Sequence, residues 1–307
     1  MMNCSQVKKT MVKGMILFFL LMMLMPTHTA YAKWVKAPNG KYRYTTNSSG
    51  SKYYKKTWAK IKGKYYYFDK KGYRKTGWLN YKGNCYYLNK KGVRVTGFKT
   101  IKGKKYFFSK KGVMIKGFIK SNGNYYYADN KGVIQKGLKQ INQHVYYFDN
   151  SGKRVSGANI VLGNMTYYFA NNGTLQYTGT QYEQAIKVIN VKRMLKGYQP
   201  LSYQANNNLS NAALLRAKEL SSLSSHTRPN GTHYSSVLKV DYPVATYWSA
   251  ECISWGKTKP GTVVANNWLS DKNYNVLMQE KANAIGIGSF VDKNGKEYWV
   301  TLVVQTP

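Results

Sequence analysis

The sequence predicts a two-part fold: an N-terminal β-hairpin repeat solenoid followed by a C-terminal α/β/α sandwich. Three observations carry this. Glycines recur every twenty residues at Gly77, Gly97, Gly117, Gly137 and Gly157, with Gly179 two residues late. Aromatic runs such as Tyr65-Tyr66-Tyr67-Phe68, Tyr106-Phe107-Phe108 and Tyr146-Tyr147-Phe148 sit between them. After Thr180 the period stops, and apolar residues recur at helical spacing instead.

One unit, residues 77–97, reads GWLNYKGNCYYLNKKGVRVTG. Lys82-Gly83-Asn84 is a turn between two short strands, Cys85 to Leu88 is the second strand, and Asn89-Lys90-Lys91-Gly92 is another turn. Gly63, Gly83, Gly103, Gly123 and Gly163 mark the first turn in successive units, with Gln143 filling the one gap. Strands suit tyrosine and phenylalanine. Twenty residues cannot bury a core alone, so neighbouring units must stack and share their rings. Residues 33–57 read as a degenerate first unit, 58–180 as the array and 181–307 as a second domain.

The second domain opens with a helix over 181–198, its apolar face Ala185, Val188, Ile189 and Leu195, ended by Gly197 and Pro200. A second helix starts near Ser210 and buries Leu209, Ala213, Ala217 and Leu220, with Arg216 and Glu219 on another face. Pro260-Gly261 opens a third, with Val263, Val264 and Trp268 inward. Ala284 to Val291, the turn Asp292 to Gly295, and Tyr298 to Gln305 read as strand, turn and strand.

Charge is uneven. The 307 residues carry a formal +37. From Lys33 to Thr180 there are 31 Lys or Arg against Asp69, Asp129 and Asp149, a net of +28; residues 181–307 carry +6. Such a field concentrates polyanions: teichoic acids, acidic polysaccharides, nucleic acids or anionic membranes. At the start, Lys8, Lys9 and Lys13 precede the apolar run Met15 to Met25, then Pro26 and Ala30-Tyr31-Ala32. That order predicts a signal peptide over 1–32, cleaved after Ala32, and no membrane span thereafter. Export and the lack of any base-reading element argue against nucleic acid. Cys85 and Cys252 fall in different halves and are expected to be free thiols.

The units resemble the cell-wall-binding repeats of Gram-positive surface proteins, the group that includes choline- and glucan-binding modules. The resemblance covers residues 58–179 in the form G-[WF]-(aliphatic)-x4-G-x2-Y-Y-[FY]-x4-G-x4-G. It implies ligand pockets between successive hairpins; choline binders there surround a quaternary ammonium with ring faces. With one tyrosine per run facing outward, the candidates are Tyr66, Trp78, Tyr86, Phe98, Tyr106, Phe118 and Tyr126. After Trp78 the position following the unit glycine is Phe98, Phe118, Leu138 and Ala158, which weakens a choline cage. Together with the charge this favours a cell-wall glycopolymer or teichoic acid over choline.

Four strings in order, NNNLSNAALLRAKELSSLSSHTRPNG (206–231), AECISWG (250–256), VVANNWLSD (263–271) and AIGIGSF (284–290), resemble the bacterial form of the CAP superfamily of cysteine-rich secretory, antigen 5 and pathogenesis-related proteins. The resemblance covers 182–305 and implies a cleft with two histidines and two acids that holds a divalent metal in some members. His226 matches the first histidine, Glu251 the acid of a Gly-Glu-Asn string, here Ala-Glu-Cys, and Asp271 the second acid. Glu219 joins them if its helix runs as far as His226. Ser270 to Asn275 holds no second histidine, and nothing in its spacing recommends His233. No cofactor is therefore expected, with His226 the one weak metal candidate. His226 and Glu251 form either an acid–base pair or a hydrogen-bonded buried pair, and Cys252 beside His226 is a remote nucleophile candidate. The reading is a secreted surface protein, moored non-covalently to the wall, whose CAP-like domain binds a peptide, lipid or host protein without catalysis. The alternative is a wall- or protein-directed hydrolase using His226 and Glu251.

Overall fold

A computed structural model describes residues 32–47, 49–241 and 245–307. The expected signal peptide, apart from Ala32, lies outside the described residues. The chain divides into two compact units, one ending at Ile115 and one running from Lys116 to Pro307.

The first unit is a series of two-stranded antiparallel hairpins: β1 (Trp34–Lys36) with β2 (Tyr42–Tyr44), β3 (Thr57–Ile61) with β4 (Lys64–Phe68), β5 (Gly77–Tyr81) with β6 (Asn84–Leu88), and β7 (Gly97–Ile101) with β8 (Lys104–Phe108). The hairpin turns Lys62-Gly63, Lys82-Gly83 and Lys102-Gly103 place both residues at positive φ. That matches a type I′ turn, whose twist suits the strands it joins. A second turn follows each hairpin. Asp69 Oδ1 accepts from the backbone N–H of Lys71 and Tyr73, both at 2.9 Å, and Asn89 Oδ1 does the same for Lys91 and Val93. The chain then clips onto the hairpin before it. Arg74 N–H donates to Tyr42 C=O at 2.7 Å, Arg94 to Tyr65 at 2.8 Å and Met114 to Cys85 at 2.8 Å. The glycines closing the second turn have a further reason beyond φ. A Cβ on Gly92 would lie 2.5 Å from Cδ of Arg74, whose side chain crosses from the preceding repeat.

The second unit begins with three more hairpins: β9 (Gly117–Ser121) with β10 (Asn124–Ala128), β11 (Gly137–Ile141) with β12 (His144–Phe148), and β13 (Ala158–Leu162) with β14 (Met165–Phe169), which also pairs with β15 (Leu175–Gln176). Where Gln143 replaces the turn glycine, only Asn142 adopts positive φ, at 55°. Asparagine tolerates that region better than other side chains.

Helices follow: α1 (Gln181–Leu195), α2 (Asn208–Leu220) and α3 (Ser236–Asp241), then β16 (Trp248–Gly256), α4 (Gly261–Ser270), α5 (Asn273–Leu277), β17 (Ala284–Val291) and β18 (Glu297–Gln305). Thr180 caps α1: its hydroxyl accepts from Glu183 N–H, and the Glu183 carboxylate accepts from Thr180 N–H. The antiparallel sheet has the order β16-β18-β17, so β18 is central and buried almost throughout. Its side chains alternate between two cores. Tyr298, Val300, Leu302 and Val304 pack with Leu209, Ala213, Ala217 and Val237 of α2 and α3. Trp299 and Val303 pack with Ala185, Ile189, Val264 and Trp268 of α1 and α4. The three expected layers are present. One detail differs: Val263 is 40 % exposed, because Val264, Ala265 and Trp268 form the inward stripe of α4.

The core on the α1 side does not stop at Thr180. Met165, Tyr167, Phe169 and Leu175 belong to the same buried cluster as Ile186, Ile189 and Leu201. Asn164 Nδ2 donates to Tyr203 C=O at 2.6 Å. With hairpins on one side and the sheet on the other, α1 is buried well beyond one apolar face, Lys187, Asn190 and Arg193 included. Arg193 is fully buried and donates to the carbonyls of Gln199, Leu277, Gln279 and Ala282.

Candidate functional site

Two places gather chemistry-bearing side chains. The first is a set of three-ring cages on the hairpins. Trp58 pairs across strands with Tyr67, Trp78 with Tyr87, Phe98 with Phe107 and Phe118 with Tyr127. Residues directly opposite in an antiparallel pair share a face, and these rings lie 5.3, 5.1, 4.8 and 5.1 Å apart. The middle tyrosine of the following hairpin adds a third wall. Tyr86 lies 5.1 Å from Trp58, Tyr106 5.0 Å from Trp78 and Tyr146 5.3 Å from Phe118. Interplanar angles near Trp78 are 71° and 73°, so the rings stand edge to face around an open corner. Trp34, Tyr44 and Tyr66 repeat the pattern at the start of the array.

The cages are not equivalent. The Arg94 guanidinium lies 6.0 Å from the Trp58 ring and 4.1 Å from Tyr65, and Arg74 lies 5.4 Å from Trp34. At Trp78 the repeat substitutes Met114 for that arginine. Trp78 is 42 % exposed and Phe118 46 % exposed. An uncovered indole face ringed by tyrosines can stack on a sugar or hold a cation.

Of the predicted wall-binding residues, Trp78 and Phe118 stand in the open, while Phe98, Tyr86 and Tyr106 are half-buried cage walls. Tyr66 and Tyr126 are buried, so they are not the outward-facing tyrosines of their runs; in the first run Tyr65 is the exposed ring. Trp58, Tyr67, Tyr87 and Tyr127 complete the cages without being among the expected residues. The cross-strand register would have found them, since each lies opposite a predicted or equivalent position. All three acids of residues 33–180 are turn residues: Asp69, Asp129 and Asp149 each accept backbone N–H bonds. Burial opposes the charge on Asp149, but the Ser151 hydroxyl and the N–H groups of Lys153 and Ser151 outweigh it and hold the carboxyl low.

The second place is a buried ionic network between α2 and β16. Arg216 has no exposed surface. Its Nε donates to Glu251 Oε1 at 2.8 Å, Nη1 to Glu219 Oε2 at 2.6 Å and Nη2 to Ser225 C=O at 3.0 Å. The other oxygen of Glu251 lies 2.8 Å from Nδ1 of the half-exposed His226. Arg228 grips Glu219 from outside, with Nε at 3.0 Å and Nη2 at 2.7 Å from Oε1. Tyr234 donates to Ser249 C=O at 2.9 Å, with its ring 6.3 Å from His226. With Nδ1 turned to Glu251, Nε2 is the ring nitrogen left for any ligand.

His226, Glu251 and Glu219 thus come together, but through Arg216 and not along one helix. α2 ends at Leu220, six residues before His226. Asp271 does not join them; it follows α4 and accepts from Asn273 N–H at 2.7 Å. His233 is exposed and bonds Ser235. Cys252 points to the opposite core and is fully buried. Burial, with the charges of Asp271 and Glu251 adding to it, pushes its thiol far up, which removes it as a nucleophile. Cys252 forms no disulfide. Among the described residues no group of three His, Cys, Asp or Glu side chains is placed to hold a metal ion, and the Glu219 and Glu251 carboxylates already face guanidinium groups. Arg216 and Arg228 carry the network, yet the sequence reading gave neither a role; both stand inside the RAKEL and HTRP strings.

Family models match this division of the chain. A choline-binding repeat matches residues 95–133, and a cell wall binding repeat matches 56–74, 76–93 and 136–153. The cysteine-rich secretory protein family, CAP, matches 186–304. The chain carries choline-binding-type repeats followed by a CAP domain. Among solved structures, choline binding protein F from Streptococcus pneumoniae is 30 % identical, covers 48 % of each chain and superposes with a TM-score of 0.43. CbpJ from Streptococcus pneumoniae TIGR4 is 25 % identical over 48 % of each chain, with a TM-score of 0.43. The modular autolysin LytC from Streptococcus pneumoniae is 25 % identical over 47 % of this chain and 33 % of its own, with a TM-score of 0.39. The chain spans about half or less of the length of these structures. No curated protein matches it.

Within the CAP domain, Glu219 gives a pH prediction. Burial works against its charge, but the hydrogen bonds from Arg228 and Arg216 outweigh that and hold its carboxyl below the usual value of 4.5. The stability this adds is present above pH 4.5 and is lost as pH falls through the depressed folded value. Glu219→Gln should flatten the pH dependence of urea unfolding in that acid window, followed by circular dichroism. An unchanged slope would show that Glu219 does not control it.

Proposed function

We propose that the chain is an exported surface protein of a Gram-positive bacterium, held non-covalently to the wall by its repeats and presenting the CAP domain as a non-catalytic binding module. The ligand of the repeats is an anionic wall glycopolymer of the teichoic acid class. The observation that carries this is the Trp78 cage, open and free of the arginine that covers its neighbour. Ring faces take the sugars, and the lysines of a segment with 31 Lys or Arg against three acids take phosphate or uronate groups. Against catalysis, both oxygens of Glu251 are already engaged, one by Arg216 Nε and the other by His226 Nδ1. No helix among the described residues is long and apolar enough to cross a membrane.

The test is retention of the full chain on purified walls with and without teichoic acid. Retention should fall when the polymer is stripped, and salt should elute the protein. Trp78→Ala should weaken binding several-fold, in line with about 0.5–2 kcal/mol per ring contact. Equal retention on stripped walls, or elution by choline with salt ineffective, overturns the assignment of polymer.

A further inference from the structure

The CAP domain holds a second pocket, away from the Arg216–Glu251 network. It lies at the β17 margin of the sheet, whereas Glu251 is on β16 at the other margin. Its volume is about 480 Å³, and its lining includes Tyr182, Tyr203, Ser289, Glu297 and Trp299.

Two polar groups in that lining are underserved. Trp299 is 3 % exposed, and its indole N–H has no acceptor among the described residues. Glu297 is 6 % exposed, and the bond it receives is a long one, 3.3 Å from Lys259 N–H. No described lysine, arginine or histidine forms an ion pair with it; the pairs present involve Glu219 and Glu251. A buried donor without a partner costs about 1–3 kcal/mol, and a buried unpaired carboxylate costs more. Residues 297 and 299 are two apart on β18, so their side chains leave the same face of the sheet, with Cα atoms about 7 Å apart. One needs a cation and its neighbour needs an oxygen.

We propose that this pocket binds an α-ammonium group carried next to a carbonyl or carboxylate, with the ammonium on Glu297 and the oxygen on Trp299 Nε1. In such a ligand nitrogen and oxygen are about 3 Å apart, and hydrogen bonds of about 2.9 Å at each end span the two side chains. The Tyr182 ring stands 5.4 Å from Trp299 at 85° and is fixed there, because its hydroxyl lies 3.1 Å from both Oγ and N of Ser289. It offers the ammonium an aromatic face. The chain's net charge of +37 repels cations at long range, so recognition must come from this local carboxylate. The inference does not rest on the wall reading. The ligand is a free amino acid or the amino terminus of a peptide, which share this chemistry.

The test is calorimetric titration of the full chain with dialanine, alanine and N-acetyl-dialanine. Dialanine or alanine should bind saturably, and N-acetyl-dialanine should bind at least tenfold more weakly. Equal affinity for alanine and dialanine assigns the free amino acid, and preference for dialanine assigns a peptide end. Glu297→Gln should weaken dialanine at least tenfold, and Trp299→Phe several-fold. Absence of saturable binding by wild-type protein of both dialanine and alanine at millimolar concentration, or equal binding of the acetylated peptide, overturns the proposal whatever the variants do.

Discussion

Glu251→Ala should destabilise the CAP domain by about 3–5 kcal/mol, the cost of breaking a buried ion pair by removing one partner. The reason is what remains. Arg216 stays fully buried, with Nε facing a void and only Glu219 and the Ser225 carbonyl to satisfy it. His226 loses the acceptor that holds Nδ1. Urea unfolding monitored by circular dichroism measures the loss. An apolar pair, Arg216→Met with Glu251→Leu, should recover much of it, since well-packed apolar replacements of buried pairs are often neutral or better. A loss below about 1 kcal/mol for Glu251→Ala would mean that the guanidinium escapes to water on its own.

Phe169→Ala should cost about 3–5 kcal/mol, the usual range for a large aromatic removed from a core. The site of the loss is the informative part. Phe169 lies in the last hairpin, by sequence a member of the repeat array, yet it is fully buried in the cluster that holds α1 and α4. Helical circular dichroism and tyrosine or tryptophan fluorescence should therefore fall in one transition, shifted together. Two separate transitions, with the helical one unmoved, would show that the hairpin and the helices fold independently.

The repeats were legible because their physics is local. Positive φ at Gly63, Gly83 and Gly103 and the side-chain turns at Asp69 and Asn89 depend on residues two to four apart, and the period exposes them. Which ring of a run faces water was not local. In the first run Tyr65 is exposed and Tyr66 buried because Trp34 and Tyr44 of an earlier hairpin pack on Tyr66. Helices α1, α2 and α4 and the final hairpin of the CAP domain followed from periodicity and a turn signal, whereas the short α3 and α5 carry no such pattern. β16 did not follow, since AECISWG shows no clean alternation and gains its place only by pairing along β18. At the network the pairing of His226 with Glu251 was legible from the family strings, whereas the part played by Arg216 and its burial were not. A charged residue on the polar side of a helix is ordinarily solvated, and only the sheet above it reverses that.

The main-chain clip between successive hairpins makes no demand on side-chain identity. Arg74, Arg94 and Met114 donate from the same place to acceptors on Tyr42, Tyr65 and Cys85. Any unit that keeps the spacing can follow any other. Excising or duplicating one whole period at the level of the gene would leave every join intact, while a change of nineteen or twenty-one codons would turn each ring of the altered segment to the wrong side. The number of units is thus adjustable in steps, by recombination, with no new surface to invent.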